Sequence, residues 1–493
     1  MSPSRLEAIR AEMDTRIDPS LSSLEVLVLL LQAELIYILA GLNWQPAPKI
    51  GGQHRKHPDW VGWLFLPFIT KEGSQRKAGR FLRDNWHVVE EAARVRFGND
   101  APKMEVGSEP FSRHNFHYFR EVVLRSDEEA FMDAFREFAI TSALGCEIMN
   151  DDQGSISHPH LSRTAATDGK VISPISKAAA GDVGTIYEQL PGGKKRVVRT
   201  YPRRFDPTAR DYHVGGQDGK KIVLGNKTAH LSVRGEDPNV RVMVDLARVH
   251  DDEGGEAVVT SAMVLRLRDN PRVGVRLQAA TGDKAWRGTH HRLMLQGGVL
   301  SVSGVSAARK ATANKPRVAK RSTTQGTWHR PGDEGGQPTD ILLVDGHPHL
   351  KEVDVEGEIH DRFLERVQTK NKKCERDGTY SWYGKYAVPN DLGGGYIWVR
   401  HLSDDADDWN NFNREENLRV ISPLDRDFPA MHGRRQDTES TNDLIEQTLW
   451  KKRAHSYGGE RQFWDLFGLA MLMAVTAPEA YRRGQLRKRA RAA

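Results

Sequence analysis

The sequence predicts an α/β fold with a helical region before it and a β-rich insertion inside it, and three observations carry that reading. Apolar residues recur at helical spacing with few glycines over residues 1–150. From about 160 the chain turns to short β-branched runs parted by Gly and Pro, with helical stretches between them. Residues 305–425 are rich in Gly, Pro, Trp and Tyr and hold alternating runs such as YIWVRHL. A chain of 493 residues, at roughly 150 per domain, holds about two to four folded units. We read them as 1–150, 160–304, the insertion 305–425, a helical closing part 426–480 and a basic tail 481–493.

Within the first unit, residues 24–42 (LEVLVLLLQAELIYILAGL) are long enough to span a bilayer but carry Glu25, Gln32 and Glu34, which hydrocarbon penalises. A buried helix is the expectation, and no membrane partner. The opening MSPSRLEAIRAEMDTR is a charged helical pattern and not an export leader. Two cysteines, Cys146 and Cys374, allow at most one bridge, so a reducing cytoplasm is the expected compartment. Leu82, Trp86, Val89 and Ala93 form an apolar stripe, and Arg76, Arg80 and Arg83 a basic one. The pattern suits a helix laid on DNA or an ordinary amphipathic surface helix.

Charge is uneven although the balance is only +6. KKRVVRTYPRR (194–204), RKATANKPRVAKR (309–321) and YRRGQLRKRARAA (481–493) each hold six basic residues and no acid. One such run is explained as a solvated face. Three point to a polyanionic partner, nucleic acid.

Three acids stand in contexts that chemistry uses. Asp168, in RTAATDGKVIS, lies in a strand-like run, where a carboxylate needs a cation or donors, although Asp-Gly alone is usually a turn. Asp283 ends VGVRLQAATGD, in which Val273, Val275, Leu277 and Ala279 alternate; a helix at 287–296 and a strand at 299–302 follow. An acid there sits at the rim where α/β sheets bind ligands. Glu439 opens a helix with Leu444, Ile445, Leu449 and Trp450 on its apolar face, Arg435 stands one turn earlier, and the apolar segment 463–473 is expected beneath it. Strand, strand end and helix start together are what a two-metal phosphoryl-transfer site needs, with Mg²⁺ or Mn²⁺ suited to carboxylate oxygens.

These residues resemble the DDE transposases of bacterial insertion sequences. The blocks that carry the resemblance are DGKVISP around Asp168, FDPTAR (205–210), GGEA (254–257), GDKAWRGTHH around Asp283 and, most specific, GRRQDTESTNDLIEQTLWKKRAHSYGGERQFWDLFGLAM from 433. The resemblance covers roughly 160–475. It implies an RNase H-like mixed sheet flanked by helices, with Asp168, Asp283 and Glu439 holding two metal ions. His432 and Glu446 stand where relatives often carry Tyr and Lys, and Lys451 or Lys452 is then the phosphate-clamping candidate. Asp245, in RVMVDLARV, is the alternative first acid; Asp168 is preferred because it leaves room for two strands and a helix before Asp283.

The activity implied is cleavage at terminal inverted repeats and joining of the freed 3′ hydroxyl to target DNA, by a homodimer on DNA in the bacterial cytoplasm, at the nucleoid. Residues 1–150 would bind the DNA ends, Arg435 a phosphate or Glu439, and Trp398, with Trp382 and Trp328, an unpaired base. Two other readings remain open. The pairs His158/His160 and His347/His349 have the spacing of a metal-dependent hydrolase, and a transposase-derived DNA-binding protein would keep the basic surfaces without cleavage.

Overall fold

A computed structural model describes residues 4–42, 57–98, 106–150, 153–216, 219–250, 255–306, 318–328, 339–353, 356–447 and 456–492. The N-terminal region is helical: α1 (Arg5–Thr15), α2 (Ser23–Gln32), α3 (Glu34–Leu42), α4 (Asp59–Glu72), α5 (Gln75–Asp84), α6 (Trp86–Phe97), α7 (Arg113–Val122) and α8 (Glu128–Gly145). Ser4, Ser22 and Ser112 start α1, α2 and α7 through reciprocal capping boxes with Glu7, Glu25 and Asn115.

Two expectations here are corrected. Residues 24–42 are not one helix, because Ala33 is extended and α2 and α3 meet at 55°. The stripe from Leu82 to Ala93 is likewise split at Asn85, whose backbone leaves the helical region; its four apolar residues are buried all the same, and Arg76, Arg80 and Arg83 are exposed on α5.

The sheet region runs β1 (Thr164–Ile172), β2 (Val183–Gln189), β3 (Lys195–Pro202), β4 (Arg210–Gly216), β5 (Gly219–Arg234), β6 (Arg241–Val249), α9 (Gly255–Asp269), β7 (Ala279–Thr281), α10 (Gly288–Gln296) and β8 (Leu300–Val302). The main sheet has the order β6–β5–β1–β7–β8, with β4 also on β5. β5 is antiparallel to β1, β4 and β6, whereas β1, β7 and β8 are parallel and connect through helices, as parallel pairing demands. β2 and β3 form a separate hairpin that exposes every residue of β3, so the basic run at 194–204 faces solvent. The strand expected from Val273 is shorter than its alternation suggested: Gly274–Arg276 is a 3₁₀ turn, and only Ala279–Thr281 pairs.

The insertion is β9 (Arg321–Trp328), β10 (Thr339–Val344), β11 (His347–Val353), β12 (Ile359–Phe363), β13 (Glu365–Lys373), β14 (Tyr380–Ala387) and β15 (Tyr396–Arg400), in a four-stranded sheet β12–β11–β10–β9 and a three-stranded sheet β13–β14–β15. Then come α11 (Asp405–Trp409), α12 (Arg414–Asn417), α13 (Phe428–Gly433), α14 (Arg435–Ile445) and α15 (Gly459–Ala492). The result is a mixed α/β protein with a curled mixed sheet.

One hydrophobic core joins the N-terminal helices, the main sheet and α15. Trp60, Trp63, Phe65 and Phe68 of α4 are fully buried, and Trp63 meets Trp464 and Phe467 of α15 at 6.1 and 5.8 Å between ring centroids. Residues 1–150 therefore share their interior with the sheet instead of forming a separate body. The tail is also corrected: 481–492 continue α15, and Arg483, with no exposed side chain, bonds Glu25 and Glu479. Among the described residues α15 is long and apolar enough to cross a membrane, and 78% of that apolar stretch is buried in the protein.

Candidate active site

Asp168 lies on the central strand β1, opposite His230 of β5. One of its oxygens accepts from Gly169 N at 3.0 Å and the other from Asn442 Nδ2 of α14 at 2.9 Å. Gly169 N also donates to Glu256 Oε1 at 3.0 Å, so one amide serves two carboxylates. Glu256 stands in the first turn of α9, held from its other side by Lys227 Nζ at 2.6 Å. A Cβ built on Gly169 would lie 2.3 Å from Glu256 Oε2. Glycine is needed at 169 for this close approach, not for its backbone conformation.

Burial and the neighbouring Glu256 push the Asp168 carboxyl up to about 6; Arg435 opposes this, and Asp283 adds to it. Arg435 and Asp283 are thus near enough to act on the Asp168 charge, and Glu439 is linked to it through its pair with Arg435. Asp283 lies two residues past β7 and caps the following turn through the Ala285 N–H at 2.6 Å. Glu439 is half exposed in the second turn of α14 and accepts from Arg435 Nη1 at 2.8 Å. It does not open the helix, since α14 begins at Arg435, and Leu444, expected on the buried face, is exposed. His432 lies between Arg435, Lys284 and Glu439; burial and the two cations lower its pKa, and Glu439 raises it.

α14 is locked over the sheet by Asp437. That buried carboxylate meets Arg234 of β5, Arg241 of β6 and Arg434, while Arg241 also reaches the Asp437 carbonyl and Thr441 Oγ1. The lock brings Asn442 onto Asp168. Asn442 Oδ1 faces His230 Nε2 at 3.2 Å, and His230, fully buried with its pKa lowered to about 4, is neutral. With the Nε2 proton donated to Asn442, the amide must point its NH₂ at Asp168.

Asp245 is engaged otherwise. It is buried in an ion pair with Arg136 Nε at 2.8 Å and Arg266 Nη1 at 2.7 Å, and accepts from Leu246 N. Its charge is met by two guanidinium groups, whereas Asp168 has only amide donors and lies beside another acid. Glu446, where a lysine was looked for, pairs with Lys170. Lys451 and Lys452 lie outside the described residues.

Sequence reasoning missed Glu256 and Asn442 as site residues, although both sit inside blocks singled out for other reasons. The usable signal for Glu256 was an acid in the first turn of a helix following a strand. Among the described residues no three His, Cys, Asp or Glu side chains stand at metal-ligand spacing. The acids in this region offer carboxylate oxygens, the donor type that hard divalent cations such as Mg²⁺ or Mn²⁺ take.

The histidines of both pairs hydrogen-bond within the protein. His347 presents its two nitrogens to Ser422 Oγ and Leu364 O, each at 2.7 Å, and His349 Nδ1 bonds the His347 carbonyl. His158 lies between Asp427 and Arg426, and His160 Nδ1 bonds Ser162. In the insertion Trp382 is fully buried, donating to Leu295 O at 2.6 Å, while Trp398 is 44% exposed beneath Lys370 Nζ, 4.7 Å from its ring centre. The Trp328 side chain lies outside what is described. No protein-family model and no curated protein matches this chain.

Proposed function

We propose that this chain is a metal-dependent polynucleotidyl transferase of the DDE transposase kind, cleaving DNA at inverted-repeat ends and joining the 3′ hydroxyl to target DNA. The observation that carries the reading is Asp168: a partly buried carboxylate on the central strand, held by the Gly169 amide it shares with Glu256 and by Asn442, with Arg435 and Asp283 near enough to act on its charge. The strand order, with an antiparallel β5 and β6 on one side of β1 and parallel β7 and β8 on the other, supports an RNase H-like core. The long β-rich insertion before α14 agrees with that reading.

In this proposal Asp168, Asp283 and Glu439 hold two Mg²⁺ or Mn²⁺ ions, with Glu256 beside Asp168. When bound, such ions supply activation of the attacking oxygen and charge stabilisation at the leaving one. The protein's own residues orient the parts. Asn442 and Gly169 N aim the Asp168 oxygens, Lys227 restrains Glu256, and Arg435 holds Glu439 or, released from it, a phosphate. Arg76, Arg80 and Arg83 on the exposed face of α5 contact DNA phosphates, and Trp398, with Lys370, offers a stacking face to an unpaired base. A homodimer on DNA, in the bacterial cytoplasm at the nucleoid, completes the reading.

The test is nicking of a duplex carrying the inverted repeats that flank the gene, with Mg²⁺. Activity is expected for the natural chain and its loss in Asp168→Asn, Asp283→Ala and Glu439→Ala. Cleavage that survives all three would overturn the assignment.

A further inference from the structure

Away from the acids, five arginines line one cavity of about 330 Å³. Arg76 comes from the first turn of α5, Arg113 and Arg120 from the two ends of α7, Arg204 from beyond β3, and Arg461 from the first turn of α15. Among the described residues no carboxylate lines the cavity. Two acids stand beside its floor: Glu121 is already shared by Arg461 Nη2 at 2.5 Å, Arg125 Nη1 at 3.2 Å and Arg120 Nε at 3.5 Å, and the fully buried Asp465 lies among Ser456, Arg120 and Arg461.

Arg76, Arg113 and Arg204 are exposed at the mouth and have no ion-pair partner among the described residues, while Arg120 and Arg461 lie deeper. A second opening of about 520 Å³ shares Arg113 and Arg120 with the first, adds His114 and His117, and is lined by no acid among the described residues. Gathering like charges costs free energy, and burial together with Arg461 lowers the pKa of Arg120. An anion in the cavity offsets that cost. Guanidinium forks match phosphate oxygens two at a time.

We propose that this cavity is a phosphate-binding site that grips the backbone of a nucleic-acid strand, separate from the acidic site. A closed pocket would suit a free ion. Here three arginines spread over an open mouth that continues into a second basic opening, which suits consecutive phosphates on one strand. The inference rests on the nucleic-acid reading above only for the identity of the polyanion.

The test uses the full chain in EDTA, with binding of a labelled duplex oligonucleotide followed by fluorescence polarisation at several salt concentrations. In Arg113→Gln/Arg204→Gln, log K against log salt is expected to flatten by about two, with affinity down about tenfold at moderate salt. Arg5→Gln/Arg94→Gln, exposed arginines that do not line the cavity, serves as the control and is expected to keep both values. An unchanged slope in the cavity variant overturns the proposal. So does calorimetric binding of inorganic phosphate that Arg120→Gln abolishes while the oligonucleotide slope stays put, because the site then takes a small phosphate. No divalent ion or cleavage enters this measurement, so failure of the acidic site and failure of this one are read separately.

Discussion

Asn442 Nδ2 donates to Asp168 Oδ2 at 2.9 Å, across 274 residues of chain, and this bond ties α14 to the central strand where Asp168 lies beside Glu256. Hydrogen bonds to a charged acceptor contribute about 1.5–3 kcal/mol. Asn442→Ala is therefore expected to lower the nicking rate by about 10- to 100-fold with the circular-dichroism spectrum unchanged. Equal rates would show that Asp168 needs no such partner.

Gly169→Ala tests whether Glu256 belongs to the site. The added methyl group would stand 2.3 Å from Glu256 Oε2, so the carboxylate must leave the Gly169 N–H. The expected result is a clear fall in metal-dependent activity with a modest change in unfolding midpoint. A variant as active as the parent would place Glu256 outside the chemistry.

Buried histidines make the fold acid-sensitive. Burial lowers the pKa of His230 and His347 to about 4 and of His401 to about 3, against an ordinary value of 6.5. Below pH 6.5 the unfolded chain takes up protons that the folded one refuses. This contribution to stability is full above pH 6.5 and is lost as the pH falls towards 4. Urea unfolding at pH 7.5 and 5 is expected to differ by roughly 2 kcal/mol per buried histidine, and His401→Phe is expected to shrink the difference.

Asp465 has the opposite sign. Full burial pushes it up to about 6, although Ser456, Arg120 and Arg461 oppose the shift. The folded state holds this proton more tightly than the unfolded one, so its contribution is present below pH 4 and is lost as the pH rises through 6. Asp465→Asn is expected to raise the unfolding midpoint at pH 8 and to lose that advantage at pH 4.

Glu25 and Arg483 are buried together, 2.7 Å apart, and fasten α2 to α15. Burial opposes the charge on Glu25, but Arg483 and Ser22 outweigh it and hold the carboxyl at about 2. Glu25→Ala leaves the buried Arg483 with Glu479 as its remaining carboxylate and is expected to cost about 1–3 kcal/mol in thermal or denaturant unfolding. Replacing both partners by leucine and methionine is expected to recover much of the loss.

Helical and strand texture was legible in the sequence because periodicity is a local property: residues three, four or two apart decide which face is apolar. The contexts of Asp168 on a strand and of Asp283 at a strand end were legible for the same reason. Local alternation failed at Val273–Leu277, where a 3₁₀ turn took the place of the expected strand, and at Asn85, where one stripe became two helices.

What only the tertiary structure decided is how charges are compensated, since Coulomb interactions depend on distance in space and not on position along the chain. Asp245 and Asp168 look alike on their strands. Folding gives the first two arginines and leaves the second beside Glu256 with amide donors. It likewise buried Arg483 of a seemingly free tail against Glu25 and brought five arginines from separate segments to one cavity.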